Sequence, residues 1–139
     1  MKIVICGSSK YRVQKVGLLE KIKETGHQPI IDPWSIKLAR GQEKRLLKSI
    51  KTEPAEVKKK YDFIRWYYNA IKDSDAVIIF NPANHGIENY IGANTFLEIG
   101  YAHALNKKVF LYYGMPDQKY ILDEISAMEP VVLNGNLEF

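Results

Sequence analysis

The 139-residue chain has one cysteine, Cys6. That excludes an intramolecular disulfide framework and a multi-cysteine zinc site, and the apolar neighbours of Cys6 mark a buried structural thiol rather than a nucleophile. No apolar run reaches membrane-spanning length, and the opening MKIVICG is a short strand-like run without the h-region of a signal peptide. A cytoplasmic protein without membrane contact is therefore expected. Repeats, linkers and low-complexity segments are missing too, so the expectation is a single domain over residues 1–139, long enough to bury a core without staples. Neither a GxGxxG nor a Walker pattern occurs, which argues against dinucleotide and ATP chemistry.

Negative charge is scarce in one place. Nine basic residues against three acidic ones fall between Lys37 and Lys60, so this stretch carries more than the whole net charge of +4. Such a field attracts phosphate, but no aromatic residue is interleaved there to stack on bases. Most of these residues read as a solvated helix face, and nucleic acid is not an expected partner. The three histidines, His27, His85 and His103, are far apart in sequence with no third ligand at suitable spacing, so no metal is expected, and no cofactor.

What is present alternates between two periodicities. Residues 2–6, 28–32, 75–80, 107–113 and 130–133 read as five strands, continuous in hydrophobicity where covered on both faces. Helical patterns fill the intervals, at about 11–25 (Val13, Val16, Leu19 and Ile22 as its stripe), 37–50, 54–73, 94–105 and 118–127. Strands separated by helices predict an α/β fold, a doubly wound five-stranded parallel sheet with helices on both faces. Right-handed crossovers put every strand's carboxyl end on one edge, and ligands bind there where the strand order reverses. The loops expected at that edge hold Gly7, Ser8, Ser9, Asp32, Trp34, Asn81, His85 and Asn94. Backbone N–H groups and hydroxyls of Gly7-Ser8-Ser9 suit a sugar or phosphate, Trp34 suits a flat base, and the Asn81 amide suits a base or hydroxyl. Asp75, at a strand start on the opposite edge, reads as structural.

One carboxylate is out of keeping with its surroundings. Glu98 interrupts the apolar run Ala93-Asn94-Thr95-Phe96-Leu97-Glu98-Ile99-Gly100-Tyr101-Ala102. With Asn94 as N-cap it would lie about one turn into the helix, near the positive end of the dipole, facing the ligand edge. Such a carboxylate can accept a structural hydrogen bond or attack an electrophilic carbon. A helix this apolar must be covered on both sides, which predicts a homodimer or higher homo-oligomer with this helix at or near the interface.

The same run, followed by Asn106-Lys107-Lys108-Val109, resembles the signature of the nucleoside 2-deoxyribosyltransferase family, and Cys6-Gly7-Ser8 resembles the related deoxynucleoside 5'-monophosphate N-glycosidases. The resemblance implies a flavodoxin-like sheet and an enzyme that cleaves or transfers the N-glycosidic bond of a nucleoside or nucleotide. It also implies that Glu98 is the nucleophile, forming a glycosyl-enzyme ester resolved by water or a second base. Where the transferases carry acidic residues that assist the leaving base, this chain has Asn81 and Gly92, neither of them a general acid. His85, Asp32 or water would then supply the proton. A nucleotide-binding or sensing module that keeps the cradle without the chemistry is the alternative.

Overall fold

The computed structural model describes all residues, 1–139. Five strands form one parallel sheet in the order β2-β1-β3-β4-β5: β1 (Lys2–Cys6), β2 (Gln28–Ile30), β3 (Ala76–Ile79), β4 (Lys108–Leu111) and β5 (Val131–Val132). This is the α/β, flavodoxin-like arrangement. Alternate residues of the central strands face opposite layers, and both faces are dry. Ile3, Ile5 and Ile78 pack on α1 (Arg12–Glu24) through Leu18, Leu19 and Ile22. Val4, Cys6, Val77 and Ile79 join the other cluster, with Ile71 of α5 (Phe63–Lys72), Ile99 and Ala102 of α6 (Ala93–Ala104) and Ile121 and Ile125 of α7 (Lys119–Ala127). Burial on both faces explains why the strands read as unbroken apolar runs.

The crossover from β2 to β3 is the elaborate part. The sequence predicts two helices there; the chain makes four: α2 (Pro33–Ala39), α3 (Lys44–Thr52), α4 (Pro54–Tyr61) and α5. Asp32 ends the second strand's loop by capping α2, its carboxylate accepting from the Ser35 N–H at 2.8 Å, with Pro33 in the first helical position. The expected helix 54–73 is split at Asp62, which adopts a left-handed conformation (φ 49°) and caps α5 by accepting from the Arg65 N–H. The lysine-rich stretch thus folds as a small lobe with its own core of Leu38, Leu46 and Val57, under Trp34, Tyr61 and Phe63. Its basic residues are mostly exposed, as a solvated face should be.

The stripe of α1 also differs from expectation. Val13 is 62% exposed, and the residues turned inward are Lys15, Leu18, Leu19 and Ile22. Asp75 accepts from the Lys2 N–H at 2.7 Å, tying the amino ends of β1 and β3. No helix is long and apolar enough to cross a membrane. Outward-facing Leu97 of α6 lies on the side away from the sheet, and Ile64 and Tyr68 of the neighbouring α5 are also partly exposed.

Candidate active site

Two chain segments, those after β1 and β3, meet where the crossovers diverge, as expected for the switch point of a doubly wound sheet. From β1 the chain enters Gly7, whose φ of 144° and approach to Phe80 leave no space for a side chain: a Cβ there would sit 2.6 Å from the Phe80 carbonyl oxygen. A 3-10 turn follows at Ser9–Tyr11, capped by the Ser8 hydroxyl, which accepts from the Lys10 N–H at 3.2 Å. Beyond β3, residues 80–92 fold as a pinned loop. Asn84 and Ile87 exchange backbone hydrogen bonds around His85 and Gly86, Tyr11 donates to the Ala83 carbonyl, and Lys10 donates to the Asn84 side chain. Gln118 clamps the loop's far end by bonding both the N–H and the carbonyl of Ile91.

Between these segments and the lobe lies a cavity of about 410 Å³, lined among others by Gly7, Ser8, Ser9, Trp34, His85, Asn94 and Glu98. The volume falls within the usual range for a small-molecule site, about 300–1,000 Å³. Trp34 is half-buried, with Tyr61 and Phe63 set edge-on to its ring, and His85 packs edge-on against Tyr90. Asn81 does not join them. The residue is 1% exposed and its amide is engaged at both ends, donating to the carbonyls of Asn89 and Gly114 and accepting from the Tyr113 N–H. With both amide hydrogens and one oxygen lone pair spent on two loops, and no place in the cavity's lining, Asn81 ties the loops together instead of making the expected substrate contact.

Glu98 is 4% exposed and lines the cavity, with no ion-pair partner: the chain's two ion pairs are Lys23–Glu20 and Arg65–Asp62. The cap differs from expectation as well. Gly92 is the N-cap and Ala93 opens α6, so Asn94 is an internal residue that donates weakly to Glu98 Oε1 at 3.4 Å. Glu98 is consequently in the second turn, where the dipole's help has fallen off. Burial pushes its carboxyl up to about 7; the charge of Lys15, the Cys6 thiol beside it and the charge of Lys58 pull the other way, while Asp32 adds to the rise. A carboxylate of this kind, titrating near neutrality and held in no ion pair, suits nucleophilic or acid–base work.

Other residues complete the lining, and of these Arg12, Lys15, Ser35 and Thr95 were not singled out by sequence. Arg12 and Lys15 come from α1, Ser35 from α2, Lys58 from α4, Tyr67 from α5, and Tyr90 and Thr95 from the loop and first turn flanking Gly92. The Arg12 Nε is buried without a hydrogen-bond partner. Asp32 is present but occupied: Ser35 N–H, Ser35 hydroxyl and Tyr67 hydroxyl all donate to it, the last two at 2.6 Å. Burial and the nearby Asp32 charge hold the Tyr67 phenol well above its ordinary pKa, so it stays a donor. A lysine on an otherwise apolar stripe was the legible signal for Lys15, because lysine is rarely buried without a reason.

A solved structure, that of the Clostridium botulinum CMP N-glycosidase BcmB, matches this chain with a TM-score of 0.52 at 17% sequence identity, over 96% of this chain and 90% of that one. That likeness establishes a shared fold. No family model matches the chain, and no curated protein matches it in sequence.

Proposed function

We propose that this chain cleaves the N-glycosidic bond of a nucleoside or nucleotide, with Glu98 as nucleophile. The observation that carries the reading is a buried carboxylate, unpaired by any cation, lining a ligand-sized cavity at the carboxyl edge of the sheet. The fold shared with a CMP N-glycosidase and the Glu-Ile-Gly-Tyr-Ala motif support it. In the proposed step a Glu98 oxygen bonds to the anomeric carbon while the carbon–nitrogen bond breaks, its electron pair leaving with the base. The transition state resembles an oxocarbenium ion, which an adjacent negative charge stabilises. The departing base takes a proton from His85, at the cavity rim, or from water. A water molecule, or a second base, then displaces the sugar from the ester and restores the carboxylate.

The remaining lining fits the parts of such a substrate. Trp34 offers a flat apolar surface for the base, Ser8, Ser9 and Asn94 offer partners for sugar hydroxyls, and Arg12 with its unpartnered Nε and Lys58 offer charge for a 5'-phosphate. A nucleotide is favoured over a nucleoside on this ground. The engagement of Asn81 and the absence of a carboxylate at Gly92 favour, as a second reading, a non-catalytic nucleotide-binding module.

Incubation with a panel of ribo- and deoxynucleosides and their monophosphates, with chromatography of the free base, separates the two. Base release by the wild-type chain and its loss by more than about 10³-fold in Glu98→Ala are expected. Nucleotide binding without any release supports the binding module, and undiminished turnover in Glu98→Ala removes the nucleophile assignment.

A further inference from the structure

Helix α1 turns a cation toward the site. Lys15 is 2% exposed, shares its stripe with Leu18, Leu19 and Ile22, and lines the same cavity as Glu98. Its Nζ makes one hydrogen bond, donating to the Gly7 carbonyl at 3.0 Å, and so leaves two of an ammonium's three donors without a protein acceptor. Burying an ammonium in that condition is costly, and a lysine kept only for packing would be better replaced by methionine.

Geometry says what the charge does. Lys15 forms no ion pair with either buried carboxylate, yet Asp32 and Glu98 both act on it through space, favouring its charged form against the burial that lowers its pKa. A lysine in contact with Glu98 would cover the oxygens that must reach a sugar. A lysine set back from it stabilises the anion and leaves those oxygens open. The groups facing Lys15 are Cys6 from β1, Arg12 from its own helix, Asp32 ahead of α2 and Glu98 from α6. Of the influences that favour the Glu98 anion, Lys15 is the largest, while Lys58, exposed to solvent, is the smallest.

We propose that Lys15 is a positioning residue for the reaction inferred above, its ammonium holding Glu98 in the carboxylate form without occupying an attacking oxygen. The proposal rests on the glycosidase reading for its purpose, but it is read out separately. In the full chain carrying glutamate labelled with carbon-13 at the side-chain carboxyl, the Glu98 signal is assigned by its loss in Glu98→Gln and titrated across neutral pH. Lys15→Met and Lys15→Gln are expected to raise the Glu98 midpoint by about one pH unit, roughly tenfold in proton affinity, and Lys15→Arg to bring it back toward wild type. The acid limb of base release moves by the same amount, with KM little changed.

An unmoved Glu98 midpoint in neutral variants that melt like the wild type overturns the proposal. Should those variants fail to fold, the reciprocal measurement decides, since coupling between two sites is symmetric. The Lys15 amine, followed by nitrogen-15 NMR, titrates about tenfold more readily in Glu98→Gln, and an unchanged amine likewise overturns the proposal. A wild-type chain that releases no base while both midpoints move rejects the glycosidase reading and the catalytic purpose together, leaving only the coupling.

Discussion

The sheet and the lobe border the same cavity and are built on different terms. The sheet supplies β1, β3 and α6, whose facing residues, Val4, Val77, Ile79 and Ile99 among them, are wholly buried. The lobe of α2 to α4 rests on three buried aliphatic residues and a ring of partly exposed aromatics. Packing of the first kind holds a side chain in one place, and Glu98 with its underlying Cys6 belongs to it. Packing of the second kind yields more readily, and the residues it offers, Trp34, Leu38, Ile50, Val57 and Lys58, suit recognition of a ligand rather than attack on it. On the function proposed above, reactive group and selective surface would thereby be separated: the position of one is set by the sheet, and the other can vary with the crossover.

Truncating a core residue in each half is the strongest way to break this contrast. Ile78→Ala, in the central strand and fully buried, is expected to cost about 3–5 kcal/mol by denaturant titration, and Leu46→Ala only about 1–3 kcal/mol, because the lobe can collapse around the loss. Leu46→Ala should in addition raise KM for nucleotide with a smaller change in kcat. Equal destabilisation by the two, with KM unmoved, would make the lobe as rigid as the sheet.

A second test sharpens the position of Glu98. Its carboxyl holds a proton up to about 7 in the folded chain, against an ordinary value of 4.5. Between those values the native state binds more protons than the unfolded one, so stability falls as pH rises through the window and levels off above it. Glu98→Gln lifts that penalty. Thermal or denaturant melts should show the variant more stable by about 1–3 kcal/mol at pH 8 and little different at pH 4, the usual exchange of stability for function. Base release should run the opposite way in the wild type, rising with pH through a midpoint near 7. The smallest effect belongs to the lobe's rim: Lys58→Met should weaken binding of a nucleoside monophosphate by roughly 2- to 5-fold, less at high salt, and leave the corresponding nucleoside unaffected.

How far the sequence reached follows the same division. The five strands, their parallel order and the polar edge were legible because buried β-branched runs between helical segments permit few other folds. Glu98 was legible as a lone carboxylate in an apolar helix. The lobe was not, since a left-handed Asp62 divides one helical pattern into α4 and α5 and leaves no interruption in its periodicity. Lys15 was missed because a stripe is counted by its apolar members, so Val13 and Val16 took the place of Lys15 and Leu18. Asn81 was misjudged for another reason: its position at the end of β3 was right, but which hydrogen bonds an amide spends on neighbouring loops depends on contacts 33 residues away.

Cys6 lies wholly out of reach of solvent, and its thiol is held well above its ordinary pKa by that burial and by Glu98. Alkylating reagents and dyes therefore have nothing to react with on the native surface. A cysteine placed at an outward position such as Val13 would be the single handle for a fluorophore or spin label, with the natural thiol left in place as an internal reporter of unfolding.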